Sequence, residues 1–249
     1  MFMQMKIRNL AYGVAGIFLA LALYFAVDAW INVGKHPHKV WLHRCNSIEK
    51  LHQMKGLYPN VEVDVVLRGN AFDVTHDLDV SYGLDLEEYF AHFSKNDGKM
   101  WLDVKNLSPQ NRDTMMAVLN SLVERYGVAK ERLVVESPQW NLLCDFTRDG
   151  FYTSMYVEYD KPENLQEEQV QECIGYLREV AGSGCVRAIS FPYWWYSILK
   201  GALGSSVDML TWKHRSSHFL FMLSGEGKRM LEDSQLKVVL VKDKGDFHR

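Results

Sequence analysis

The sequence contains no Cys-x-x-Cys pair, no internal repeat, no low-complexity tract and no surplus of either charge. Its four cysteines, Cys45, Cys144, Cys173 and Cys185, are widely scattered, which argues against a structural zinc site. A Cys173–Cys185 disulfide is left open by their spacing. A formal net charge of −3 gives no general attraction to nucleic acid or to anionic membranes, so no nucleic-acid partner is expected and any phosphate recognition must be local. With 47% hydrophobic and 24% charged residues in 249, the composition is that of a globular protein, and the length suits one domain built as a barrel of alternating strands and helices.

The exception is the N-terminus, where Lys6 and Arg8 precede an uncharged, largely apolar run from Leu10 to Val27. A cleaved signal peptide usually has a shorter core, about 7–15 residues, whereas roughly 20 apolar residues span a bilayer. Residues 1–34 are therefore read as a transmembrane anchor or signal segment and 35–249 as the catalytic domain. The alternatives are cleavage near Val27-Asp28-Ala29 and a buried soluble helix. Lys35 and Lys39 beyond the run oppose Lys6 and Arg8, so the charge bias only leans towards an inside N-terminus. Anchor and signal both export the domain, which is expected in a periplasmic or extracellular space.

After the polar linker Gly34-Lys35-His36-Pro37-His38, eight strand-like runs are expected: Val40–Arg44, Val61–Leu67, Met100–Asn106, Leu133–Ser137, Tyr152–Tyr159, Ala188–Tyr193, Asp208–Lys213 and Lys237–Lys242. Helix-like stretches fall between them near Ser47–Met54, Leu86–Phe93, Pro109–Tyr126, Gln139–Phe146, Glu168–Val180, Trp194–Leu199 and Ser217–Asp233. Ser108 followed by Pro109 reads as the start of the third of these. Eight strands alternating with seven helices match an α/β fold of the (β/α)8 TIM-barrel type, with an N-terminal transmembrane helix ahead of it. A doubly wound open sheet is the competing architecture.

In a barrel, Val61, Val63 and Val65 pack under helices, which turns Glu62 and Asp64 into the lumen; Leu102 and Val104 likewise leave Asp103 and Lys105 inside. Carboxylates confined there need a cation or a donor to offset their charge. Oxygen-only ligation by Glu62, Asp64 and Asp103 suits Ca²⁺ or Mg²⁺, whereas zinc would recruit histidines. The non-metal reading is a set of salt bridges from Lys105 and Arg44. His43 and His76 each close a strand-like segment beside the acids, and imidazole titrates near neutral pH, so one can accept a proton while the other donates one. His36, His38, His52, His92, His214, His218 and His248 read as structural or exposed.

The ordered set His43-Arg44, Glu62-Val63-Asp64, His76-Asp77 and Asp103-Val104-Lys105 resembles the signature of the glycerophosphodiester phosphodiesterases, in the phospholipase-C-like phosphodiesterase superfamily. Trp41-Leu42-His43 with Asn46-Ser47, and Val61-Glu62-Val63-Asp64-Val65, also resemble the menorin family of the same superfamily. The likeness covers Val40 to Asn106 most strongly. It implies a (β/α)8 barrel in which Glu62, Asp64 and Asp103 bind a divalent cation, His43 and His76 act as acid and base, and Lys105 contacts phosphate. Two positions depart from the family pattern: Cys45 stands where a glycine follows His-Arg, and Asp103 stands where many members carry glutamate.

Later in the chain, Glu136, Glu158 and Lys213 fall near strand ends, and Trp212-Lys213-His214-Arg215 offers an aromatic and a positive cluster for an anionic substrate. Arg44, Glu136, Trp212 and Lys213 are thus the expected substrate contacts beside catalytic His43, His76 and Lys105. The aromatic run Phe191 to Tyr196 would line a pocket, touch a bilayer or pack in the core. The expected function is hydrolysis of a glycerophosphodiester or lipid-derived phosphodiester, the partners being that small molecule or lipid headgroup and the membrane. The competing classes are a non-catalytic barrel that binds a phosphorylated ligand or partner, and a carbohydrate-active barrel using Glu136 and Glu158.

Overall fold

The computed structural model describes residues 2–213 and 225–243, with side chains of the first helix described over residues 11–27 and at Ile31 and Lys35. Helix α1 (Phe2–Lys35) leads into β1 (Val40–Leu42), followed by α2 (Ile48–Met54), β2 (Val61–Arg68), β3 (Ala71–Val74), α3 (Leu86–Phe93), β4 (Met100–Val104) and α4 (Arg112–Tyr126). Then come β5 (Leu133–Glu136), α5 (Leu143–Arg148), β6 (Tyr152–Tyr156), α6 (Glu167–Ser183), β7 (Ala188–Pro192), α7 (Tyr196–Ala202), β8 (Asp208–Trp212), α8 (Gly225–Glu232) and β9 (Leu236–Val241).

Eight of the strands pair parallel in the order β1-β9-β8-β7-β6-β5-β4-β2, and β1 pairs in turn with β2, which closes the barrel. All eight expected strands are present. The strand not expected is β3, antiparallel to the far end of β2 from Val65↔Val74 to Arg68↔Ala71. A two-residue turn joins the two, and its Gly69 takes φ +59°, the left-handed region that glycine reaches at no steric cost. The hairpin carries the chain beyond the barrel rim towards His76.

The barrel divides its apolar residues into two sets. Val61, Val63, Val65, Leu102, Val104, Val135, Ile189 and Val239 pack outward beneath the helices. Trp41, Trp101, Val134, Ala188, Leu210, Val238 and Leu240 fill the lumen, with Trp41 and Trp101 edge to face at 6.4 Å. Period-two alternation therefore commits the residues between the outward ones, Glu62, Asp64, Asp103 and Glu136, to the inside. The helices start on local signals: Ser47 Oγ accepts from the Lys50 amide and Asp85 Oδ1 from the Glu88 amide. Helix α4 begins later than Ser108-Pro109 suggested. Asn111 Oδ1 accepts from the Ser108 amide while its Nδ2 donates to the Asn106 carbonyl, so this side chain holds the preceding loop.

Other expectations are corrected. The disulfide is Cys144–Cys185, and Cys173 is a free thiol. Cys173 lies within α6, and the ten residues from it to Ser183 advance about 15 Å along the helix axis, beyond the reach of a disulfide. Of the three readings open for the aromatic run, core packing is the one seen: Trp195 is fully buried, with its Nε1 donating to the Asp160 carbonyl at 2.8 Å, while Tyr193 and Trp194 are partly buried against the core. The helix expected over Ser217–Asp233 is described from Gly225 only, and His214, Arg215, His218 and His248 lie outside the described residues.

No helix among the described residues is long and apolar enough to cross a membrane. On α1, Tyr12, Ile17, Phe18, Leu19, Leu23, Tyr24 and Val27 are each more than half exposed. They lie on all sides of the helix rather than along one stripe facing the barrel.

Candidate active site

The segment after β1 is held at every backbone group. The His43 amide donates to the Val241 carbonyl, the Arg44 amide to Glu62 Oε2 at 2.6 Å and the Cys45 amide to the Glu62 carbonyl. Lys50, on α2, donates to the carbonyls of His43 and Arg44, and the Tyr89 hydroxyl donates to that of Cys45. No main-chain N–H or C=O of His43, Arg44 or Cys45 is left unpaired. Arg44 has φ +54°, a region costly for a residue with a Cβ. Cys45 does not share that conformation and is fully buried in the core beneath the segment. Burial pushes its thiol up to about 11, which keeps it protonated and unreactive. The departure from glycine thus leaves the cavity unobstructed.

Glu62 and Asp64 project from β2 and Asp103 from β4, and the three offer oxygens within 4.8 Å of one another. Asp64 lies opposite Asp103 in register, and Asp103 opposite Glu136, so neighbouring strands form a line of three acids. Lys105 bridges two of them, with Nζ 2.7 Å from Asp64 and 2.5 Å from Asp103. Asn46 Nδ2 donates to Asp64 Oδ2 at 2.8 Å, and Arg44 Nε approaches the same oxygen at 3.8 Å.

The charges follow from this packing. Burial would raise the Asp64 carboxyl, but Lys105 and then Asn46 hold it below its ordinary value. Burial raises Asp103 against the attraction of Lys105. Glu62 is pushed well above the carboxylate range by burial and by its neighbours Asp64 and Asp103. Burial also raises Glu136, which accepts from Ser190 Oγ at 2.5 Å. Burial alone would lower the Lys105 ammonium, but Asp103, Asp64 and Glu62 together raise it, so it stays charged.

His43 Nε2 is 3.6 Å from Glu62 Oε2, and burial drives the imidazole down to about 3 against the pull of Asp64, leaving it neutral. His76, beyond β3, is half-exposed and its Nδ1 pairs with Asp77 Oδ1 at 2.9 Å. The carboxylate fixes which ring nitrogen faces the cavity.

A cavity of about 370 Å³ opens at the C-terminal ends of the strands, lined by His43, Arg44, Glu62, His76, Asp103 and Lys105 together with Glu136, Glu158 and Trp212. Leu78, Trp101, Tyr156 and Leu240 complete its wall. Lys213 is placed differently: its Nζ lies 4.5 Å from the centre of the Tyr193 ring, and it is not among the lining residues described. Sequence reasoning missed Tyr156, whose signal was its place two residues after Ser154 on the lumen face, and the part that Asn46 plays in fixing Asp64.

The donor set fits a hard divalent cation. All three acids offer oxygen, and Glu62 Oε1 and Asp103 Oδ1 are buried without a hydrogen-bond partner among the described residues. Orphaned buried carboxylate oxygens are costly unless something positive meets them.

In sequence, no family model and no curated protein matches the chain. In structure, the chain is similar to a glycerophosphodiester phosphodiesterase from Parabacteroides distasonis, with a TM-score of 0.59 and 17% identity over 84% of this chain and 93% of that one. It is also similar to an Oleispira antarctica phosphodiesterase in complex with the product sn-glycerol-3-phosphate, with a TM-score of 0.52 and 14% identity over 81% of this chain and 92% of that one. These likenesses establish a TIM barrel of the kind found in the glycerophosphodiester phosphodiesterases.

Proposed function

We propose that this chain is a divalent-cation-dependent phosphodiesterase that hydrolyses a glycerophosphodiester or a lipid-derived phosphodiester. The observation that carries the reading is the gathering of His43, His76, Glu62, Asp64, Asp103 and Lys105 at the C-terminal mouth of one barrel. Glu62, Asp64 and Asp103 would hold Ca²⁺ or Mg²⁺, which supplies positive charge opposite the phosphoryl oxygens. Lys105 adds a fixed ammonium on the same side, and Arg44 a guanidinium at the mouth. Either His43 or His76 takes the proton of the attacking hydroxyl as its oxygen bonds to phosphorus. The other gives a proton to the alcohol oxygen whose bond to phosphorus breaks. With water as attacker, the products are one phosphomonoester and one alcohol. Glu136, Tyr156 and Trp212 bound the space left for the substrate's headgroup.

The same proposal places the domain outside the cytoplasm on an N-terminal anchor. It is supported by the apolar run Leu10–Val27, by the exposed apolar side chains on all sides of α1, and by the Cys144–Cys185 disulfide. Such bonds persist in oxidising compartments, and an apolar helix surface of this kind is stable in hydrocarbon.

The test is release of choline from glycerophosphocholine by the full chain, in Ca²⁺, in Mg²⁺ and in EDTA. Turnover should require the cation and fall by roughly 10²–10⁴-fold in His43→Ala and in His76→Ala. An active variant at either histidine removes that residue's role. A second reading, a barrel that binds a phosphorylated ligand without turning it over, draws on the ion pairs of Lys105 with Asp64 and Asp103, which already offset two of the acids. It requires saturable phosphate binding with no turnover in any cation.

A further inference from the structure

Two histidines that the cavity does not use meet on the outside of the barrel. His52 Nε2 and His92 Nδ1 lie 2.8 Å apart, with ring centres 5.0 Å apart and ring planes crossed at 75°. His52 comes from the last turn of α2 and His92 from the last turn of α3, and neither lines the cavity. The facing nitrogens share a single proton, so the contact is one hydrogen bond made in water, where such a bond adds little to stability. The helices are packed without it: Leu51 of α2 and Tyr89, Phe90 and Phe93 of α3 are buried in the core, while His52 is exposed and His92 partly so.

We propose that His52 and His92 bind a divalent transition-metal ion of the zinc class, at a site separate from the acids of the cavity. Imidazole is a preferred ligand of Zn²⁺, Ni²⁺ and Cu²⁺, whereas Ca²⁺ and Mg²⁺ take oxygen. With metal–nitrogen bonds of roughly 2.0–2.1 Å, two imidazoles on one tetrahedral ion hold their nitrogens about 3.3 Å apart and their ring centres about 5 Å apart. The ring centres of His52 and His92 already have that separation. Only the tilt of each ring has to change, so that both nitrogens turn towards one point, and the exposed position leaves room for it. The shared proton moves to the outer nitrogen of its own ring, so each imidazole keeps one N–H and offers the ion a lone pair. The surroundings suit a cation. The last carbonyls of a helix carry partial negative charge, and Glu49 and Glu88 stand one turn before His52 and His92 on the same helix faces. Among the described residues no third histidine, cysteine or carboxylate stands close enough to join the pair, so water completes the shell. The location matters to the loop after β1: Lys50 on α2 holds the carbonyls of His43 and Arg44, and Tyr89 on α3 holds that of Cys45. An ion shared by the two histidines ties these helices together, and with them the frame of that segment. The site stands whether or not the cavity hydrolyses phosphodiesters.

The experiment titrates the full chain, stripped with EDTA and returned to millimolar Mg²⁺, with Zn²⁺ in a calorimeter, beside His52→Gln, His92→Gln and Asp64→Asn. The parent and Asp64→Asn should share a Zn²⁺ site that both glutamine variants lose. Melting gives an independent readout: Zn²⁺ should raise the Tm of the parent by mass action and leave both glutamine variants at their EDTA values. Those EDTA values should lie close to the parent's, which shows that the variants are folded. Zn²⁺ binding in either glutamine variant equal to that of the parent overturns the site. A site lost in Asp64→Asn and kept in the glutamine variants assigns the ion to the cavity and overturns it as well. Glutamine variants that fall below the parent by as much in EDTA as in Zn²⁺ would reduce the pair to a hydrogen bond between helices.

Discussion

Asn46 and Asp64 grip each other at both ends: Asn46 Nδ2 donates to the Asp64 carboxylate at 2.8 Å, and the Asp64 amide donates to Asn46 Oδ1 at 3.0 Å. The side chain of one loop residue therefore fixes both the backbone and the carboxylate of the central acid. Asn46→Ala should weaken cation binding by about 10–100-fold, the usual effect of removing a group that orients a ligand. Calorimetric titration of the full chain with Ca²⁺ and Mg²⁺ measures it. Unchanged affinity would mean that Asp64 needs no support.

Lys105 sits between Asp64 and Asp103, and Lys105→Met would leave two buried carboxylates facing each other. Breaking a buried ion pair from one side costs about 3–5 kcal/mol. Melting in EDTA should show a loss of that order. A divalent cation placed among the same acids should recover much of it, so the gap between parent and variant should narrow in millimolar Ca²⁺ or Mg²⁺. A gap that is the same with and without the cations would count against a metal at these residues.

Cys144 and Cys185 close a loop across 41 residues of sequence. Cys144→Ser should lower stability by about 2–4 kcal/mol, seen as a fall in Tm, and reduction of the parent with dithiothreitol should give the same fall. Cys173→Ser should match the parent's Tm under both conditions. The reverse ranking would favour the Cys173–Cys185 pairing that spacing left open.

Asp149 reports on pH away from the cavity. The Lys130 ammonium, 2.8 Å away, holds its carboxyl below the ordinary value. A carboxyl with a depressed folded value adds stability that is complete at neutral pH and is lost as pH falls through that value. The stability difference between the parent and Asp149→Asn should be at most about 1 kcal/mol at pH 7, as for exposed pairs. It should shrink towards zero below pH ~4. Urea unfolding across this range measures the difference, and a constant one would show that the charge of Asp149 is immaterial.

The barrel was legible because its strands carry valine and leucine on alternate positions, which left Glu62, Asp64 and Asp103 no direction but inward. The hairpin strand β3 was harder to read: Ala71–Val74 is short and mixed in polarity, and its best signal was the Gly69-Asn70 pair, which gives a turn only when the strand before it overruns the barrel. The Cys144–Cys185 bond could not be read from spacing, since it depends on how α5 meets the end of α6. Lys213 falls at the end of β8, but its ammonium lies over the ring of Tyr193, a residue on a different strand connection, which spacing along β8 does not show. Asn46 was visible only as part of a family likeness, because its role depends on β1 and β2 lying side by side.

The two tryptophans packed edge to face in the lumen, Trp41 and Trp101, close the barrel beneath the acids and make the cavity a cul-de-sac. Whatever enters such a cavity has to leave by the mouth through which it came.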